Sequence, residues 1–471
     1  MKKLLLTAAL ATACISASAQ YWNPYFANLD TTWGIRYMDA IDTSTVWAIG
    51  YDGTFPNRTS IKFTRTVDGV NFTPGTFYAD TNSFAPSNIS AVNDTMAFIA
   101  TYFKSGAGTP GQILKTVDGG MTWNNVAIPT MFTSANNFPN VVHFWDTDRG
   151  WCMGDPNNTM GWGNEFELWR TWDGGATWTR THKDSIPNPQ TGEYGTVDVY
   201  STYQDRWIWY GTNKGRVYAS SDSGSTWSVA QIPGMLGGVF TITFSDSLHG
   251  LALGDATAST ATTTYMLQAT ADGGATWTNL TGTGSIGTDF GRFDMDAVPW
   301  HGQTYMSVGI NISQSAYVTS VSTDNGANWT VYESGVTDAE RIIELDVVDS
   351  SFMMYAWGGA FSDNTLPLGI GGIRKNWGPL TTGLKPVAEP NKYVVYPNPG
   401  NGMVSIHMNK ALAGTTIKVT DLLGKTVYTG VLPVDYMNQD MQLDLSGNAK
   451  GIYLININNG KTNNVQKLII E

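Results

Sequence analysis

The chain has 471 residues, 42% of them apolar and 14% charged, with 51 glycines, 18 tryptophans and a net charge of -12. That length suits about two to three domains, the apolar fraction excludes wholesale disorder, and the acidic surface excludes a nucleic-acid partner by repelling phosphate backbones. Low charge with abundant Gly, Thr, Asn and Trp predicts many short strands and tight turns, an all-β class.

Residues 1–19 open with Lys2-Lys3, run through an apolar centre from Leu4 to Ala13 and end in Ala17-Ser18-Ala19. That is the layout of a secretory signal peptide, and its centre is too short to span a bilayer. Reading Cys14 as a lipoprotein cysteine lacks the branched aliphatic three residues upstream, where Ala11 stands. No later apolar stretch is as long, so no transmembrane segment is expected in the mature chain. That chain keeps one cysteine, Cys152, and has no internal disulfide.

An octapeptide then repeats. Thr116-Val117-Asp118-Gly119-Gly120-Met121-Thr122-Trp123 recurs at 171–178, 220–227, 270–277 and 322–329, and a shortened copy starts at Thr66 and ends in Phe72. Ser or Thr stands first, Asp third, Gly fifth and Trp eighth, with a period of about 51 residues, close to one four-stranded propeller blade. Asp68, Asp118, Asp173, Asp222, Asp272 and Asp324 are placed to bond the N–H groups of their own turns, and the glycines supply positive φ. Trp123, Trp178, Trp227, Trp277 and Trp329 each start a strand and wedge between sheets. Between the boxes, pairs such as Val141–Phe144 with Gly150–Gly154 and Thr241–Phe244 with Gly250–Gly254 read as an inner strand, a turn and a second strand. Seven such pairs predict seven blades, with six or eight as alternatives. The seventh unit ends in Ile373-Arg374-Lys375-Asn376-Trp377, read as a box that keeps only its tryptophan. Tyr21 to Leu29 resembles a strand after a box and is expected to close the ring by pairing with the last blade, removing an open edge.

The octapeptide resembles the Asp-box of bacterial neuraminidase repeats. Propellers with this motif include sialidases, xyloglucan-cleaving glycosidases, sortilin-type receptors and photosystem-assembly factors, so the resemblance implies a fold and leaves enzyme or binder open.

After the propeller (20–383), Leu384-Lys385-Pro386-Val387-Ala388-Glu389-Pro390 reads as an extended linker (384–391). Residues 392–471 follow as about seven short strands, a small β-sandwich of immunoglobulin-like type. From Leu384 onward there are eight lysines, no arginine and six acids, whereas all eleven arginines precede it. Tyr396-Pro397-Asn398-Pro399, Asp421-Leu422-Leu423-Gly424-Lys425, Gly451-Ile452-Tyr453-Leu454 and Lys467-Leu468-Ile469-Ile470 resemble the type A sorting domain of type IX secretion. The resemblance implies a partner in the type IX machinery, passage through the periplasm, removal of the tail, and a body that is released or fixed to surface lipopolysaccharide.

The sialidase resemblance implies three arginines clamping a carboxylate, with a Tyr–Glu pair. Arg36, Arg292 and Arg341 fall near starts of inner strands, but Ile35-Arg36-Tyr37-Met38 departs from Arg-Ile-Pro and no clear Tyr–Glu pair is found. Such a guanidinium also suits pairing with Asp296 or Glu344. A general glycosidase needs two carboxyls about 5–9 Å apart. Asp155 and Asp255 follow matching Gly-Asp corners, their loops (Asp155–Phe166 and Asp255–Tyr265) are expected on the ligand face with Glu165 and Glu167, and Trp162 is placed to stack on a sugar. The other reading of each corner is a turn capped by its own side chain. His143, His182, His249, His301 and His407 show no ligand spacing, Asp146-Thr147-Asp148 and Asp294-Met295-Asp296 no calcium-loop pattern, and no Gly-rich phosphate loop follows a strand, so no metal or cofactor is expected. Cys152 reads as core. The expectation is a secreted or surface-displayed monomeric propeller that binds a glycan or a surface protein. The alternatives are a glycoside hydrolase and a passive surface component. No residue is given a catalytic role.

Overall fold

The computed structural model describes residues 22–470 apart from a number of connecting segments, the longest being 53–59, 157–163, 281–288, 335–341, 361–371 and 380–392. The leader lies outside the described residues. The chain divides into Met1–Thr382 and Gly383–Glu471.

Among the described residues the first unit contains seven four-stranded antiparallel sheets. Their innermost strands are Trp33–Ala40, Phe84–Ala91, Pro139–Phe144, Gly195–Tyr203, Val239–Phe244, Asp294–Ala297 and Ile342–Asp349. Each lies beside the innermost strand of the next sheet, and the seventh returns to the first, so the array is a closed β-propeller. In each of the first six sheets the fourth position of the box donates its N–H to the turn between the two inner strands: Gly69 to Ser44, Gly119 to Thr95, Gly174 to Asp148, Ser223 to Arg206, Gly273 to Leu248 and Asn325 to Gln303. The boxes and these inner turns therefore share one end of the wheel.

Inside the box, the first hydroxyl and the aspartate close the turn together. Thr116 Oγ1 accepts from Gly120 N (2.9 Å), and Asp118 Oδ1 accepts from Thr122 N (2.9 Å) while Oδ2 takes the Thr122 hydroxyl (2.6 Å). Those bonds hold the Asp118 carboxyl down at about 2. Gly120 has φ +86° and an added Cβ would stand 2.1 Å from the Phe63 ring, so both conformation and space require glycine. The same bonds recur around Asp173, Asp222, Asp272 and Asp324.

The cores lie between sheets. Trp178 packs with Phe98, Phe144 and Trp169, Trp227 with Trp151 and Tyr210, Trp277 with Trp209 and Phe244, and Trp329 with Phe290 and Leu251. In each case the box tryptophan seals its own sheet against the preceding one, and Trp123 and Phe72 do the same for the second and first sheets. Each buried indole contributes about 3 kcal/mol or less by area.

The seventh sheet is built from both ends of the unit. Trp22–Tyr25 pairs antiparallel with Ile373–Pro379, Trp22 opposite Asn376. Ile373–Pro379 is itself the third strand, not a worn box, and the indole that seals the sixth against the seventh sheet is Trp22. It is buried with Met306, Val308 and Leu345, and its Nε1 donates to Thr319 Oγ1 at 2.8 Å. The N-terminal strand supplies the tryptophan that the seventh repeat lacks at this place.

The second unit is a β-sandwich. A three-stranded sheet (Tyr393–Tyr396, Met403–Ala411, Tyr436–Asp444) and a four-stranded sheet (Thr426–Val431, Thr416–Asp421, Gly451–Asn458, Asn463–Ile470) enclose one core, including Val404, Ile417, Leu443, Ile455 and Leu468. Gly424, at φ +82°, closes a turn in which Lys425 N donates to Asp421 Oδ1, and the Tyr453 hydroxyl donates to Ala449 O. Lys467 is exposed on the edge strand opposite Leu454. Gly451 begins the strand that pairs with that edge, and Pro397, Asn398 and Pro399 lie outside the described residues. No described helix is long and apolar enough to cross a membrane.

Candidate functional site

On five of the inner strands, one polar position reaches sideways. Asp39 Oδ2 accepts from Ala91 N (2.7 Å), Ser90 Oγ from Phe144 N (3.0 Å), Thr243 Oγ1 from Ala297 N (3.0 Å), Asp296 Oδ2 from Val347 N (2.8 Å) and Asp346 Oδ2 from Ala40 N (2.9 Å). The acceptor always belongs to one sheet and the donor to the next, one residue past the equivalent position. A second tier lies two residues earlier, where Asn88 Oδ1 accepts from Val142 N and Asp294 Oδ2 from Leu345 N. The result is a belt of side-chain clamps around the axis, joining sheets that share no backbone ladder.

The belt surrounds a cavity of about 230 Å³ lined by Asp39, His143, Thr243, Asp294, Asp296, Glu344 and Asp346 among others. Burial disfavours the charged form of these groups. It pushes the Asp39 and Asp294 carboxyls up to about 7, with Asp296 adding repulsion at Asp294, and Asp296 itself up to about 6. Asp346 rises well above the carboxylate range, first through burial and then through the charges of Asp39 and Asp296. Burial also lowers His143 to about 3, leaving a neutral imidazole.

The residues singled out from the sequence sit at the other end, away from the boxes. Asp155 Oδ1 accepts from Asn140 Nδ2 (2.7 Å) and from Gly195 N (2.9 Å) of the fourth sheet, and burial pushes its carboxyl up to about 7. Asp255 Oδ1 accepts from Thr257 N, Thr257 Oγ1 and Thr264 N, which folds its own loop back on itself. Glu165 is paired with Arg180 at 3.2 Å with both side chains buried, and Glu167 Oε1 accepts from Phe132 N and Trp169 Nε1. Arg36 is exposed at a bulge of the first inner strand and stacks on Tyr37 and Tyr51. Arg292 is half-buried with its guanidinium 4.2 Å from the Tyr265 ring centre. Trp162 and Arg341 lie outside the described residues. The structure brings Arg292 over Tyr265, whose ring in turn stands 5.8 Å from that of Phe240 at 60°.

The sequence reading missed Asp39 and Asp346, took Asp294 and Asp296 as a short acidic pair, and otherwise saw Asp296 as a partner for an arginine. Their signal was a polar residue flanked by apolar ones at one register of successive inner strands, as in Met38-Asp39-Ala40, Met295-Asp296-Ala297 and Leu345-Asp346-Val347.

Fold and site together define a β-propeller joined to a β-sandwich. Residues 394–471 match the secretion system C-terminal sorting domain family, and the tail is a type IX sorting domain. A curated relative, a xyloglucanase of Paenibacillus sp, is 30% identical over 169 residues, covering 29% of this chain and 14% of its own length. The chain therefore spans about one seventh of that relative. Among solved structures, a streptogramin B lyase aligns at 10% identity and a TM-score of 0.50, over 76% of this chain and 98% of its own. YCF48 bound to D1 peptide aligns at 16% identity and 0.49, over 76% and 97%. These likenesses concern the fold. The sorting domain assigns the chain to secretion and cell-surface attachment through the type IX machinery.

Proposed function

We propose that the propeller is a surface-displayed binding module that recognises a glycan or a surface protein without cleaving it. What supports this reading is the work given to its acids. The Asp39, Asp155, Asp294, Asp296 and Asp346 carboxyls each accept a backbone N–H from a neighbouring sheet, and Asp255 caps its own loop. A glycosidase needs two carboxyls turned toward one sugar, whereas at least one oxygen of each of these carboxyls is bound into the scaffold. Incubating the mature protein with chromogenic glycosides and with polysaccharides including xyloglucan is expected to give saturable binding and no product. Product formation lost in Asp155→Asn, with the melting temperature retained, overturns the reading.

A glycoside hydrolase is the second reading. Asp155, pushed up to about 7 by burial, would hold its proton in about half of the molecules at neutral pH, which leaves it able to act as a general acid, and the xyloglucanase relative belongs to that class of activity.

For export, we read residues 1–19 as a cleaved leader and residues 384–471 as the outer-membrane address. Deleting 384–471 is expected to leave the body in the periplasm, as read by cell fractionation. A truncated body recovered in the medium defeats the assignment.

A further inference from the structure

We infer that a strip on the end of the wheel away from the boxes, centred on Phe240, Tyr265 and Arg292, binds the acidic sugar units of a uronate-containing polysaccharide. The inference rests on the binding reading above and gives it a place and a ligand class.

The strip is assembled by an irregularity of the strand. In the fifth sheet the inner strand shifts register between Val239 and Thr241, so Phe240 is an extra residue at a bulge. A bulge re-aims a side chain, and Phe240 stands 40% exposed where Thr241 and Ile242, next along the strand, are buried. Its ring meets Tyr265, the first residue of the third strand, and Arg292 of the sixth sheet covers the same tyrosine. Leu236, 63% exposed, lies in the loop that leads into this strand. Asp255 backs the strip: its carbonyl accepts from Gly237 N, and its N–H donates to Gly238 O. Asp255 is thus a positioning residue for Phe240.

The chemistry is that of a ring platform beside a cation. Arg292 makes no ion pair among the described residues, and its buried Nε has no hydrogen-bond partner. A half-buried guanidinium without an acid is poised for a planar carboxylate, which it grips through two parallel N–H bonds. The exposed Phe240 face suits the flat C–H face of a pyranose. A neutral sugar would leave the guanidinium unanswered. An extended peptide would gain no backbone ladder, because the strip presents side-chain faces and not a free strand edge. Charge is also segregated: Asp42, Asp146 and Asp246 cap the inner turns and the six box aspartates lie beside them, all at the far end. The acid nearest the strip, Asp255, stands opposite Tyr265 in register and has its Oδ1 engaged by Thr257 and Thr264.

The test is calorimetric titration of the mature protein with a galacturonic-acid oligomer, a neutral cello-oligomer of equal length and an acidic peptide. Saturable binding of the uronate is expected, weakened about tenfold or more by Arg292→Gln and by Phe240→Ala, partly retained in Arg292→Lys, and reduced by salt. Melting curves establish that each variant is folded. Equal affinity for the neutral oligomer, or indifference to Arg292→Gln, overturns the uronate assignment while leaving a binding module. Binding of the peptide alone overturns the saccharide class. Cleavage of the bound uronate overturns the non-catalytic reading and leaves the strip as its substrate platform.

Discussion

Replacing Trp22 by alanine is expected to destabilise the propeller by about 3–5 kcal/mol, the usual cost of emptying a buried indole site. Trp22 is 2% exposed, fills the core between the sixth and seventh sheets and donates to Thr319. The loss would fall on the one sheet assembled from two distant parts of the chain, so the closing strand itself should come free. Chemical denaturation measures the loss, and hydrogen exchange should show Ile373–Pro379 exposed before the inner strands. Trp172, which lies in a box and is 54% exposed, is the matched control, and Trp172→Ala should change stability by less than about 0.5 kcal/mol. Equal effects of the two substitutions would contradict the role assigned to Trp22.

Stability should also fall as pH rises from about 4 to about 7. The belt carboxyls have folded-state pKa values raised above those of the unfolded chain, to about 7 for Asp39 and Asp294 and about 6 for Asp296. Between the unfolded value near 4 and these values the folded chain holds more protons, so raising pH through that window favours unfolding. The box aspartates act oppositely. Their carboxyls are held below the usual range, so their contribution is present above about 4 and is lost as pH falls toward 2. The melting temperature should therefore be higher near pH 5 than at pH 8. Asp346→Asn removes the charge and keeps an oxygen for Ala40 N, so it should match the parent near pH 5 and exceed it in stability at pH 8. A pH profile left unchanged by this substitution would place the titration elsewhere.

What the sequence disclosed depended on how far apart the cooperating groups lie. The box was legible because Asp118, Thr116 and Thr122 close their turn within eight residues, and its recurrence pointed to a wheel. The lateral belt was not, because Asp39 meets Ala91 and Asp346 meets Ala40 only once neighbouring sheets stand in register. Asp155 and Asp255 share a Gly-Asp corner, yet one joins two sheets and the other closes its own loop, a difference set by Asn140 and Gly195 from elsewhere. Trp377 matched the pattern by position along the chain, but Trp22, more than 350 residues away, occupies the corresponding core. Arg292 was visible as a cation near an inner strand. Its setting on Tyr265 was not, since the tyrosine comes from the preceding sheet.

The clasp between Trp22–Tyr25 and Ile373–Pro379 also fixes an order of events during synthesis. Its first half is made before any of the other strands and must wait for nearly the whole wheel to follow before it meets its partner. The six sheets made of consecutive strands have no such delay. A bulky fusion placed just ahead of Trp22 would therefore disturb the last step of assembly, while a tag inserted in a loop between two consecutive sheets would meet a fold already largely formed.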